Sequence, residues 1–218
     1  MTTKKTIYSP SVEEIENRSV VCWNELKAKV EKCTLCQLCK ERNNTVLGEG
    51  PLDAPVMFIG EGPGADEDME GKPFIGKAGK LLTKILEAAD IKREEVYITN
   101  IVKCRPPNNR VPAVEEMVAC SKYLEAQIAI IDPEVIVCLG STPTKWFLKT
   151  SEGITKIRGK WFKWKGIDLM PMFHPSYLLR NQSRKPGSPK DMTWKDIQEI
   201  RKYLDRVQNN GGKTIGKP

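Results

Sequence analysis

Cys33 and Cys36 are separated by two residues, a chelating spacing. Cys104 and Cys120 lie far along the chain, with 15 residues between them. Four thiolates so arranged suit either Zn²⁺ or a [4Fe–4S] cluster, and spacing does not separate the two. Cys39 extends the first pair to Cys-x2-Cys-x2-Cys and is a rival ligand. Cys22 and Cys138 sit in apolar runs and read as buried structural thiols. Seven cysteines is an odd number. The N-terminus lacks the apolar core of a signal peptide, so the chain is expected in the cytoplasm, where disulfides are rare. Metal ligation is therefore the first expectation for the cysteines.

A second set of residues could do chemistry on a small ligand. His174 is the single histidine of the chain and stands in Phe173-His-Pro-Ser-Tyr-Leu-Leu-Arg180. Gly60-Glu61-Gly62-Pro63-Gly64 could cradle a ligand with backbone N–H groups, because glycine permits close approach. A tight turn is the plainer reading. Asp66, Glu67, Asp68 and Glu70 follow, either as metal ligands or as a solvated run. Asn100 offers both a donor and an acceptor, which suits reading the edge of a base; a turn or cap residue is the alternative.

The elements that must position these residues follow from the apolar pattern. Residues 55–59, 96–102 and 135–139 read as buried strands, and 154–172 as a basic hairpin and a fourth strand ending at His174. Helices are expected over 11–32, with Ser11 and Glu14 as a capping box, and over 78–89, 113–131, 141–149 and 193–207. Strands alternating with helices give an α/β class with a mainly parallel sheet. The glycine-rich and polar motifs fall just after strand C-termini, the edge where open α/β sheets bind ligands. Residues 1–208 read as one domain and 209–218 as a disordered tail.

Charge is unevenly placed. Residues 141–190 carry 11 Lys and Arg against 2 Asp and Glu, whereas the rest of the chain carries 24 against 26. A polyanion such as a phosphate backbone is the partner this suggests, and a solvated basic face is the bland alternative. No stretch approaches the roughly 18 apolar residues of a membrane span.

Taken together, Gly60–Gly64 with Glu67-Asp68, Gly71-Lys-Pro-Phe74-Ile-Gly76, Thr99-Asn-Ile-Val-Lys-Cys-Arg-Pro-Pro107 and His174–Arg180 resemble the family 4, iron–sulfur uracil-DNA glycosylases. The similarity spans roughly residues 30–207, with Cys33, Cys36 and Cys120 at family-like spacing. It implies a three-layer αβα sandwich around a four-stranded, mainly parallel sheet. It implies a [4Fe–4S] cluster on Cys33, Cys36, Cys104 and Cys120, acting structurally. It also implies a monomeric, monofunctional enzyme that flips uracil out of DNA and hydrolyses its glycosidic bond.

The roles that follow are these. Phe74 would stack on uracil, Asn100 would pair with its O4 and N3–H, and the backbone of Gly60–Gly62 would meet its other edge. Glu67 would exclude thymine by bulk. His174 would donate to O2 as charge develops there, and Glu61 would act on the water or the cationic sugar. Another family of uracil glycosylases has Asp where this motif has Gly62, which leaves the base open. Pro175, Ser176 and Arg180 would contact the DNA, and Leu178 would wedge into the opened stack. A cross-linking relative needs an extra histidine, which this chain lacks. The remaining rivals are a nucleic-acid-binding module without glycosylase activity and a metal-dependent phosphoesterase built on Asp66, Glu67 and Asp68.

Overall fold

Three apolar runs are buried at every position, as strands covered on both faces must be: β1 (Val56–Gly60), β2 (Tyr97–Asn100) and β3 (Val135–Leu139). The computed structural model describes residues 12–209 and 211. A further pair, β4 (Phe162–Trp164) and β5 (Ile167–Met172), forms the basic hairpin. Its turn residues Lys165 and Gly166 both have positive φ, 47° and 92°, as a two-residue turn of this hand requires. The sheet order is β2-β1-β3-β5-β4. The first four strands are parallel and β4 is antiparallel to β5. The sheet thus has five strands rather than four, because the hairpin adds its short first arm to the edge.

The helices are α1 (Val12–Glu31), α2 (Ala65–Glu70), α3 (Lys77–Ala88), α4 (Val114–Ile131), α5 (Ser141–Leu148), α6 (Ile154–Ile157), α7 (Pro175–Arg180) and α8 (Pro189–Asn209). Alternation along the strands sorts them into two layers. Met57, Ile59, Ile136, Cys138 and Leu169 pack with Leu26 and Val30 of α1, Leu124 and Ile128 of α4 and Phe147 of α5. Val56, Phe58, Val135, Val137 and Met170 face the other way, toward Leu82 and Leu86 of α3 and Ile197, Ile200 and Leu204 of α8. This is the expected three-layer αβα arrangement. Ser11 of the expected capping box lies outside the described residues. Helix α8 runs one residue into the expected tail, and apart from Gly211 the rest of that segment is also outside them.

Register decides where chemistry can occur. Gly60 pairs with Asn100 and Leu139 with Met172, so the parallel strands end nearly level. The chain passes from β1 to its neighbour on one side and later from β2 to β3 on the other. The connections therefore diverge at the C-terminal ends of β1 and β3, which opens a crevice there. Glu61, Asn100, Gly140 and His174 each lie at or just beyond a strand end on that edge. No helix among the described residues is long and apolar enough to cross a membrane.

Candidate active site

The crevice is a cavity of about 710 Å³ lined by residues from every one of these strand ends, among them Glu61, Gly62, Glu67, Phe74, Asn100, Thr142, His174, Ser176 and Arg180. Asn100 is 1% exposed, yet its amide oxygen has no hydrogen-bond partner. Leaving such an acceptor unmet costs roughly 1–3 kcal/mol, so its place in the cavity wall points to a ligand donor. Gly60 lets the two pocket walls meet. A Cβ there would stand 2.4 Å from Asn100 Oδ1 and 2.5 Å from Phe74 Cζ.

Phe74 is held in a conformation that L residues avoid, with φ 50°. Strain of this kind costs about 1–3 kcal/mol and persists only where the surroundings over-determine it. Here they do. Glu67 accepts N–H bonds from Ile75 and Gly76, both at 2.9 Å, and from Gly64 at 3.1 Å. Arg93 donates to Pro73 O at 2.7 Å. Gly79 on α3 lets the backbone of Phe74 lie against the helix, since a Cβ there would be 1.8 Å from Phe74 O. The ring is thereby fixed 5.7 Å from the His174 imidazole, centroid to centroid, with 37° between the planes.

The imidazole has a defined tautomer. Its Nδ1 accepts from Ser176 N at 3.1 Å and lies 2.8 Å from Ser176 Oγ. With Nδ1 as acceptor, the proton of the neutral ring sits on Nε2. Burial, with a smaller contribution from Arg180, lowers the His174 pKa to about 4. Across the crevice, Thr142 at the start of α5 donates to Glu61 Oε2 at 2.5 Å, a bridge from the end of β3 to the end of β1. Sequence reasoning missed Thr142. No motif marks it in the chain, because its bond to Glu61, 81 residues away, exists only in the fold.

Several expected residues are placed differently from their assigned tasks. Leu178 is 2% exposed, so its side chain faces the protein interior and is not presented as a wedge. Pro175 is buried as well, and Ser176 is occupied with His174. Arg180 is exposed at the cavity. The acidic run is not a metal site. Glu67 is committed to backbone N–H groups, and Asp68, 1% exposed, accepts from Asn43 N at 3.0 Å and Asn43 Nδ2 at 2.6 Å. The phosphoesterase alternative loses its ligands on that ground. Cys22 is exposed on α1, whereas Cys138 is buried as expected.

Away from the crevice, Cys33, Cys36, Cys39, Cys104 and Cys120 all line one small cavity under α1 and α4, together with Arg42 and Lys103. Burial pushes the Cys104 thiol up to about 11, opposed by Arg42, which donates to its Sγ at 3.1 Å. Cys36 and Cys120 are raised too, burial again being the largest cause. Cys120 feels both Cys36 and Cys33, and Cys104 feels Cys120 and Cys36. Cys39 enters only through Cys36 and Arg42. Lys103 is lowered to about 7 by burial, against the upward pull of Cys120 and Cys104. No group of three or more His, Cys, Asp or Glu side chains among the described residues is disposed to hold a single metal ion.

Because His174 is the only histidine, its titration can be followed without assignment. The imidazole resonances are expected to stay unchanged from pH 8 down to about pH 5.5 and to move with a midpoint near the shifted value of about 4. Nitrogen shifts should report the proton on Nε2. A midpoint near the ordinary value of about 6.5 would overturn the buried, neutral assignment.

Residues 47–198 match the model of the uracil DNA glycosylase superfamily. A type-4 uracil-DNA glycosylase of Thermotoga maritima is 48% identical over 180 residues, covering 82% of this chain and 92% of that protein. One from Sulfurisphaera tokodaii is 46% identical, covering 81% and 83%. One from Pyrobaculum aerophilum is 39% identical, covering 83% and 96%. With the superfamily model matching most of the chain and these relatives matching about four fifths of it at 39–48% identity, the chain belongs to the type-4 uracil-DNA glycosylases of that superfamily.

Proposed function

We propose that this chain excises uracil from DNA by hydrolysing the glycosidic bond, leaving an abasic site. The observation that carries this reading is the buried, unpartnered amide oxygen of Asn100 in the cavity wall. Uracil presents N3–H to that oxygen and O4 to the amide N–H. Cytosine presents the reverse pattern and would leave both groups unpaired, a mismatch that can discriminate by about 10⁴-fold. The base is reached by flipping the nucleotide from the stack, and it lies on the fixed face of Phe74. Glu67, anchored by three N–H groups, forms the wall against a 5-methyl group. Val111, 61% exposed at the cavity rim, and Tyr177 are the apolar groups that fill the vacated stack in place of Leu178.

As the C1′–N1 bond breaks, electrons pass to the base and O2 becomes anionic, while C1′ becomes cationic. Nε2–H of His174 meets O2. A neutral donor with a low pKa polarises O2 without first surrendering a proton, and a fixed donor in such a site is worth about 3–4 kcal/mol. The Glu61 carboxylate, oriented by Thr142, holds the water that adds to C1′ or balances the sugar cation. Among the described residues no lysine lines the cavity, in keeping with hydrolysis without a lyase step. The nucleic-acid-binding alternative provides no task for the strain at Phe74.

The cysteine cavity fits a [4Fe–4S] cluster on Cys33, Cys36, Cys104 and Cys120. These four cysteines line one small cavity together with Cys39, and Cys104 receives a hydrogen bond from Arg42, as a metal-bound thiolate would. Such a cluster would cross-link the turn after α1, the segment following β2 and α4, with no part in bond cleavage.

Three outcomes are expected. A single-uracil oligonucleotide incubated with excess protein should gain an abasic site, with EDTA present, and Asn100→Asp should lower the rate by about 100-fold or more; intact DNA, or undiminished excision by the variant, would sink the assignment. Thr142→Val should slow excision by about tenfold with little change in KM, while Thr142→Ser restores it. The purified protein should be brown, with broad visible absorption and about four irons per chain; a colourless zinc protein would refute the cluster.

A further inference from the structure

We infer that Lys103 is a positioning residue that ties the cysteine cavity to the base-reading end of β2. This rests on the roles given above to Asn100 and to the cysteines. Lys103 is 1% exposed and lines the cavity shared by the cysteines. From there its side chain turns back along its own segment. Nζ donates to Thr99 Oγ1 at 2.7 Å and to Asn100 O at 2.8 Å. Thr99 Oγ1 in turn donates to Leu47 O at 2.7 Å, and Lys103 O accepts from Val46 N at 2.8 Å. Lys103 therefore joins the last two residues of β2 through its side chain, and residues 46–47 through its carbonyl and Thr99, to the wall of the cysteine site.

The connection matters because of how Asn100 is held. Its amide oxygen has no partner in the protein, so its aim is set by the backbone that carries it. That backbone is fixed on one side by Ile101 N donating to Gly60 O at 2.9 Å. On the other side the tie is Lys103 to the Asn100 carbonyl. A lysine with so little exposure is stable in this place only if its hydrogen bonds are met and its charge is compensated. Thr99 and Asn100 meet the first need. A centre held by four thiolates beside Lys103 meets the second. Lys103 would then couple such a centre to base recognition through the placement of a single ammonium, with no electron transfer involved.

The test is a double-variant cycle on the holoprotein, using Lys103→Met, Asn100→Ala and both together. Each is checked for iron, visible absorption and unfolding temperature. Excision rate and binding of free uracil are then measured. Lys103→Met is expected to keep its cluster and to lose about 10- to 100-fold in both readouts, the usual scale for groups that orient a functional residue from behind. In the Asn100→Ala background it should cost less than about twofold, because its effect passes through Asn100. Losses that multiply in the double variant overturn the proposal, as does an unchanged Lys103→Met. Should Lys103→Met shed its cluster, Lys103→Gln, which retains an N–H donor, carries the same cycle. Asn100→Ala without effect would overturn the base-reading role itself, and this proposal with it.

Discussion

The candidate site depends on one missing atom. With a Cβ at residue 60, the Asn100 amide and the Phe74 ring could not both occupy their places, since each lies within 2.5 Å of where it would be. Everything else serves that approach. Parallel pairing brings Gly60 level with Asn100. The Glu67 carboxylate and Arg93 hold the loop that carries Phe74, and Gly79 lets that loop sit on α3. A flat apolar face and a polar edge then meet at a right-sized slot, as a planar heterocycle requires. The strain at Phe74 is local, but its supports reach from residue 64 to residue 93, so the slot belongs to the fold and not to one loop.

Much of this was legible in the chain because period and punctuation are strong signals for buried strands. β1 and β3 are uniform apolar runs ending in glycine or Gly-Ser, and both stand where expected. β2 is shorter than its apolar run suggests, because after Asn100 the backbone turns away into the bends that carry Cys104. Leu178 was misread for a physical reason. Spacing from His174 places it in the right loop, but α7 begins immediately at Pro175, and the helical turn carries Leu178 inward. Cys22 shows the reverse error: apolar neighbours suggested burial, yet Val20 and Val21 are themselves about half exposed, at 49% and 57%. Thr142, Ser176 and Lys103 were not legible as partners, because their tasks lie in hydrogen bonds to residues 81, 2 and 3 positions away that only the fold defines.

Where Asn100 and His174 meet the cavity, its polar groups are neutral. His174 is neutral, held so by burial and by the positive Arg180 nearby. Asn100 is a dipole. Glu61 is the ionisable carboxylate aimed across the crevice, since Glu67 is spent on backbone N–H groups. A protonated histidine would attract the DNA phosphates and favour the wrong bound states. A neutral donor that strengthens only as O2 gains charge favours the transition state over the substrate, which is the condition for raising turnover and not merely binding.

The basic segment is smaller in effect than its composition implies. Arg158 is paired with the buried Asp196, and Lys163 and Lys165 are paired with Asp168 and Glu125. Arg158 ties the end of α6 to α8, Lys165 ties the hairpin turn to α4, and Lys163 pairs across the hairpin, which leaves less free charge for a polyanion. The exposed charges that remain include Lys145 and Lys149 on and just after α5, Lys156 on α6 and Arg180 at the end of α7, on elements next to the crevice, and also Lys160, Arg184 and Lys185. Two of the helices that bear these charges, α5 and α7, also carry Thr142 and Ser176 near their N-termini, the residues that bond Glu61 and His174. A phosphate drawn to α5 or α7 would meet the same elements that hold the Glu61 and His174 side chains, which would couple backbone binding to alignment of the base. Charge elsewhere on the surface would raise affinity without that alignment, and the paired lysines of the hairpin show it being neutralised there.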